Sequence, residues 1–170
     1  MLRVLPASGA IDWPTVYQAE LPRVLNYFRY RVGDLATAED LTAQTFEKAW
    51  SRRDHYDDRG KFMAWLMTIA RNVATDHFRR RRPTLEIEAA LNRADSSDPA
   101  AELELKEQRF RLSSMLSRLP ERQQELVALK YGGELSNREI ATQMNLTESN
   151  VGTLLHRLIT QLRSEWEAER

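Results

Sequence analysis

Apolar positions recur along this chain at helical spacing, in runs broken by proline, glycine and polar capping residues. Asp12 ahead of Trp13-Pro14 predicts the start of a first helix, Pro22 a kink or division within it, and Gly33-Asp34 its end. Thr37 with Asp40 three residues on predicts a capping-box-like start for a second helix reaching about Arg53. On that helix Ala38, Leu41, Thr45 and Ala49 share one face, with Phe46 and Trp50 one turn apart beside it. Asp40, Gln44 and Glu47 form a separate polar stripe. After a loop expected at residues 55–60, a third helix is marked by Phe62, Leu66, Ile69, Val73 and His77 and widened by Trp65 and Ala70. Its opposite face carries Thr68, Asn72, Thr75, Asp76 and Arg79.

Periodicity then lapses. Residues 83–99 hold two prolines and the run Asp95-Ser96-Ser97-Asp98, and read as a linker. Asp98-Pro99 predicts an N-cap and first helical residue, followed by Leu105, Leu112, Leu116 and Leu119 at helical spacing. Pro120 opens another helix, Glu121 to about Tyr131, closed by Gly132-Gly133. Ser136 with Glu139 is a capping box for a short helix whose inward residues are Ile140, Ala141 and Met144. Asn145 suits a left-handed turn, Leu146 plugs it, and Thr147 caps a second helix with Val151, Leu155, Leu158 and Leu162 inward. Two helices around a tight turn, with small Ala141 at the crossing, make a helix-turn-helix.

No run alternates with period two, so the expected fold is all-α: helical units at 10–82 and 99–170 joined by a flexible linker at 83–98. With 170 residues, 42% of them apolar, the chain is one domain or two small ones. It has no cysteine, which excludes disulfides, thiolate zinc sites and a cysteine nucleophile. No apolar run is long enough to span a membrane, and residues 1–10 lack the core of a secretory signal, so no membrane insertion and a cytoplasmic location are expected.

Net charge is zero, with 25 basic and 25 acidic residues, yet the charges are segregated. Residues 59–82 carry Arg59, Lys61, Arg71, Arg79, Arg80, Arg81 and Arg82 against Asp76 alone, a charge of +6. The adjoining residues 83–108 carry −5. The four arginines complement a helix dipole, but together with the hydrogen-bonding face and the loop aromatics Tyr56 and Phe62 they also fit nucleic acid. Rings offer unpaired bases a stacking surface, which favours melted DNA in the first unit. In the helix-turn-helix, Glu148, Ser149, Asn150, Thr153 and Arg157 would face a major groove, and Asn137 and Arg138 would hold phosphate. The alternatives are a solvated polar stripe on the second helix and a plain four-helix packing module in the second unit.

An enzyme has little support. His55, His77 and His156 fall in separate elements, none of the six glycines builds a phosphate loop, and His55 with Asp57 and Asp58 is an unsupported metal set, so no metal or cofactor is expected. A stand-alone helix-turn-helix repressor is the alternative function, although no heptad run or extra dimerisation helix is visible.

Residues 40–50, Phe62-Met63-Ala64-Trp65-Leu66 and Ile69-Ala70-Arg71-Asn72 resemble conserved region two of the sigma-70 family of RNA polymerase sigma factors. Leu119-Pro120-Glu121-Arg122-Gln123 and residues 135–162 resemble region four. The short length, with no region three between them, is similar to the extracytoplasmic-function (ECF) group. The resemblance implies that Asp40, Leu41, Gln44, Phe46 and Glu47 dock on the clamp helices of the polymerase large subunit. It implies that Tyr56, Arg59, Lys61 and Phe62 belong to the loop that captures a flipped base of the minus-ten element, with Asn72, Asp76, Arg79 and Arg80 on the helix beside it. Region four would meet the polymerase flap and read the minus-thirty-five element through the seven helix-turn-helix residues named above. Partners implied are polymerase core, promoter DNA and an anti-sigma factor. Many relatives have basic residues where this recognition helix has Gly152 and Leu154. Beside a basic helix, the acidic connector should disfavour free duplex binding, so DNA is expected to be engaged in the company of polymerase.

Overall fold

The structure is a computed structural model and describes residues 12–57, 60–81 and 99–169. Its elements are α1 (Trp13–Val32), α2 (Leu35–Ser51), a 3-10 turn (Arg53–His55), α3 (Phe62–Arg80), α4 (Pro99–Ser117), α5 (Glu121–Val127), a π-helical turn (Ala128–Gly132), α6 (Asn137–Met144) and α7 (Glu148–Ala168). No strand occurs among the described residues, in keeping with the all-α expectation. The linker assigned to 83–98, and the N-cap assigned to Asp98, lie outside them.

α1 runs through Pro22 undivided, burying Val16, Glu20, Val24, Tyr27, Phe28 and Arg31 along one stripe. The division expected there does not occur, because that stripe is held against neighbouring helices on both sides of the proline. Gly33, at φ 71°, ends the helix in the left-handed conformation that favours glycine. Asp34 at once caps α2, its carboxylate accepting the Thr37 N–H at 2.8 Å. The cap predicted at Thr37 therefore falls three residues too late: Asp34 reaches the N3 amide first, and Thr37 is already helical. α2 buries Ala38, Leu41, Thr42, Thr45, Phe46 and Ala49, and the Thr42 and Thr45 hydroxyls donate to the Ala38 and Leu41 carbonyls one turn back.

In the second half, α5 gives way to a π-helical turn after Val127, four residues before the expected end at Tyr131. The capping box at α6 forms in full, Asn145 takes the left-handed conformation at φ 54°, and Thr147 caps α7 by accepting the Asn150 N–H. Leu116 and Leu119 are buried, whereas Leu105 and Leu112 are exposed along with Leu103 and Phe110. The first half of α4 thus extends away from the core.

The two units do not keep separate cores. One apolar cluster runs from Val24, Tyr27, Phe28, Leu66 and Val73 into Leu126, Leu129, Leu135, Ile140, Val151 and Leu155. A smaller cluster joins Met115, Leu116, Leu119, Val127, Leu158 and Leu162. Burying each such Leu, Val or Phe contributes about 1.5–3 kcal/mol, so this continuity ties the stability of each unit to the other.

Candidate nucleic-acid and polymerase interface

The polar stripe on α2 is exposed at Asp40, Gln44 and Glu47, and the same helix buries Leu41 and Phe46. Phe46 packs edge-to-face on Tyr17 at 4.7 Å. Only the three polar residues of the five named for this surface can therefore meet a partner with their whole side chains. Leu41 and Phe46 set the height of the stripe from below.

Beside it a cleft of about 280 Å³ separates α2 from the C-terminal half of α3, lined by Gln44, Lys48, Val73, Asp76, His77 and Arg80 among others. Asp76 pairs with Arg79 at 3.0 Å and with Lys48 at 3.8 Å, so the basic end of α3 is held partly in check by one carboxylate. Asn72, Arg79 and Arg80 are exposed. Burial lowers the His77 pKa, with the Arg81 charge adding to the shift, and its Nε2 has no hydrogen-bond partner.

The loop between α2 and α3 differs from the sequence expectation at its aromatic residue. Phe62 is buried, in edge contact with Trp13 and Tyr56 at 5.9 and 5.5 Å, and it packs against Trp65 as well. It begins α3 and anchors the loop from the core, because a helix start beside three other rings is the least hydrated position available to it. Tyr56, half-buried against Trp65 at 4.7 Å, and exposed Lys61 line the loop itself. Arg59 lies outside the described residues.

In the helix-turn-helix, Glu148, Ser149, Asn150, Thr153 and Arg157 are all exposed, on the first three turns of α7. Arg138 is exposed and pairs with Glu148 at 3.4 Å, and Asn137 Oδ1 accepts from Lys130 Nζ at 2.9 Å. Leu154 is half-buried against the shared apolar cluster, so its departure from a basic residue has a packing reason. A Cβ on Gly152 would meet nothing closer than Asn137 Nδ2 at 3.6 Å. That glycine lowers helix stability by about 1 kcal/mol without any steric need.

Sequence reasoning missed Glu125, Arg31, Arg71 and Gln143. Glu125 is buried, and its carboxylate accepts from Tyr27 Oη at 3.0 Å and Arg71 Nε at 2.9 Å and lies 3.2 Å from Arg31 Nε. The signal was present: Glu125 shares a helical face with Leu129 and Gly132, an acid on an otherwise apolar stripe.

Comparison with known proteins places both units. The Sigma-70 region 2 family model matches residues 16–84 and the Sigma-70, region 4 model matches residues 109–162. The ECF RNA polymerase sigma factor SigF of Caulobacter vibrioides is 33% identical over 82% of this chain and 77% of its own length. SigM of Bacillus subtilis is 29% identical over 88% of this chain and 91% of its own. BldN of Streptomyces coelicolor is 37% identical over 92% of this chain, which spans 61% of that relative. Among solved structures, the sigma factor RpoE of Bartonella quintana, in complex with the anti-sigma factor NepR, shares the fold at a TM-score of 0.70 with 20% identity, covering 94% of this chain and 99% of that one. CnrH, in complex with the cytosolic domain of CnrY, gives a TM-score of 0.63 with 24% identity, covering 92% of this chain and 86% of that one. With region two and region four in order along nearly its whole length, the chain belongs to the sigma-70 family of RNA polymerase sigma factors, in its ECF group.

Proposed function

We propose that this chain directs RNA polymerase core to promoters by supplying two DNA readers, one for duplex and one for melted strand. The observation that carries the reading is the pairing, in one chain, of the exposed Asp40, Gln44 and Glu47 stripe with a fully capped helix-turn-helix that presents Asn150, Thr153 and Arg157 outward. The stripe docks polymerase and the helix-turn-helix reads the minus-thirty-five duplex. Tyr56, Lys61 and the Asn72, Asp76, Arg79 and Arg80 face of α3 hold the minus-ten strand once it opens. Extruding a base costs a few kcal/mol, so a site that binds only the extruded base draws the equilibrium toward the melted promoter. Every step is a binding step, and no covalent chemistry is assigned to this chain.

The same reading gives the protein a cytoplasmic location and an anti-sigma partner. The latter is suggested by RpoE, solved with the anti-sigma factor NepR, and by CnrH, solved with the cytosolic domain of CnrY. An envelope or stress signal that releases such a partner would then set when the chain acts. The test is reconstituted transcription. Core polymerase with this protein should start transcripts at discrete sites on genomic fragments, and start sites no different from those of core alone would refute the reading. Binding of the free protein to a palindromic duplex would instead favour the repressor.

A further inference from the structure

The three arginines of α3 differ in what holds them. Arg71 is committed to the second unit: its Nε lies 2.9 Å from Glu125 and its Nη1 donates to the Gln143 carbonyl, while Gln143 Nε2 donates back to the Ala64 carbonyl at 2.6 Å and to Thr68 Oγ1 at 3.0 Å. Arg80 is exposed and makes no ion pair among the described residues. Arg79 is exposed as well, yet its tip is tied, through Nη2 to Asp76 Oδ1 at 3.0 Å. It is therefore the one arginine of α3 that is both open to a ligand and held in a set direction.

What holds it is Asp76, the only acid in residues 59–82. A lone carboxylate on a face that meets phosphates repels the ligand, so its presence there has to be offset. Its two oxygens have different partners. Oδ1 accepts from Arg79 one turn on, and Oδ2 lies 3.8 Å from Lys48 Nζ on the far side of the cleft, the one ion pair between α2 and α3 among the described residues. Asp76 and Arg79 cancel in charge, and Lys48 leaves the group with a net positive charge. A carboxylate held at one oxygen still turns about its side-chain bonds, whereas one held at both keeps Oδ1 toward Arg79. The Lys48 and Asp76 side chains are 42% and 37% exposed, and ion pairs so hydrated add little to stability. The pair is thus too weak to staple α2 to α3, and its effect falls on the direction in which Arg79 points.

We propose that Lys48 is a positioning residue for the minus-ten strand: from the helix that docks polymerase it holds the Asp76 carboxylate, and Asp76 aims Arg79 at a phosphate of the melted strand. The assignment rests on the reading of α3 as the strand-holding face and adds to it a residue that acts only through Asp76. Lys48 adjoins Glu47 of the docking stripe, so a polymerase seated on α2 also fixes the base of this relay. Holding a long side chain in its bound direction beforehand removes an ordering cost from strand binding.

The test uses the full chain. Lys48→Met keeps the length of the side chain without its charge, Lys48→Arg keeps the charge, and Lys48→Gln replaces the first variant if it does not fold. In the free protein the NMR order parameter of the Arg79 Nε–H should fall by about a third in Lys48→Met and recover in Lys48→Arg. The melting temperature should stay within about two degrees of the parent, as for a surface substitution. With polymerase core, Lys48→Met should bind a single-stranded oligonucleotide spanning the minus-ten segment of a mapped start site about 2- to 10-fold more weakly, the scale of ordering one long side chain. Its competition for core should be unchanged, which a merely structural role would not spare. In an Asp76→Asn background Lys48→Met should have no further effect, because the relay is already cut. An Arg79 signal equally mobile in the parent and Lys48→Met, unchanged strand binding, or an undiminished loss in the Asp76→Asn background would each overturn the proposal. Failure of the parent to start transcripts at discrete sites would remove the promoter reading instead, and the Arg79 signal, read on the free chain, decides the relay without it.

Discussion

A Cβ atom on Gly132 would lie 2.6 Å from the Tyr27 Cα, closer than side-chain atoms approach a backbone. The π-helical turn that ends at Gly132 is therefore seated directly on α1, and the absence of a side chain there sets how near the two units come. Gly132→Ala should force them apart. The expected result is a loss of about 1–3 kcal/mol in urea unfolding, the usual scale for overpacking, together with a larger radius of gyration in X-ray scattering. An unchanged radius with unchanged stability would show that the close seating is not maintained in solution.

Removing the cap of α6 tests the helix-turn-helix separately. Ser136 accepts the Glu139 N–H at 3.2 Å while the Glu139 carboxylate accepts the Ser136 N–H at 2.7 Å. Ser136→Ala should lower stability by about 0.5–2 kcal/mol and speed amide exchange at the start of α6. Hydrogen exchange reads the second effect directly, and equal protection in both proteins would count against the capping box.

Promoter contacts should divide by position. Arg157→Ala removes an exposed cation from the outward face of α7 and should reduce initiation about 5- to 150-fold if it reads a base, the equivalent of about 1–3 kcal/mol. A phosphate contact would instead weaken all promoters alike and flatten the salt dependence of binding. Abortive-initiation assays on a promoter and on its minus-thirty-five variants distinguish the two.

The α2 stripe is exposed, so Asp40→Ala, Gln44→Ala and Glu47→Ala together should leave the melting temperature within a degree or two and weaken polymerase binding by at least tenfold. Competition against the parent chain for limiting core polymerase measures this. Equal competition would move the docking surface elsewhere.

Acid should destabilise the fold through two groups. Burial pushes the Asp34 carboxyl up, but hydrogen bonds from the Thr37 side chain and the Thr37 and Ala36 amides outweigh it and leave the pKa below the usual value of 3.8. The cap is thus fully formed above about pH 4 and is lost as pH falls through the folded value. Burial and Arg81 lower His77 below 6.5, so the unfolded chain takes up that proton first and stability declines as pH drops below about 6.5. Denaturation midpoints from pH 8 to 3 should fall in two steps, and His77→Gln should remove the first.

Local chemistry made the helix-turn-helix readable residue by residue: Ser136, Glu139, Asn145 and Thr147 each answer a backbone need that sequence spacing states directly. The polar face of α3 was readable for the same reason, since helical periodicity fixes direction. Burial was harder to read where it depends on distant partners. Phe62 looked like a displayed ring until Trp13, Tyr56 and Trp65 closed around it, and Asp34 displaced Thr37 as a cap because Gly33 placed it first. The interface between the units was invisible for a similar reason. Glu125 and Arg71 are 54 positions apart, and no local rule pairs an acid with an arginine at that separation.

The Gln143 contacts with Ala64 and Thr68 carry a further consequence for how this protein can diverge. Each reader is usually free to drift toward a new promoter as long as its own helix still folds. Here the flanks of both readers touch, so a substitution at Thr68 or Arg71 that suits a new strand must also suit α6. Among descendants of this sequence, positions 64, 68 and 71 should therefore covary with 125 and 143, and a change of promoter preference at one element should draw compensating changes beside the other.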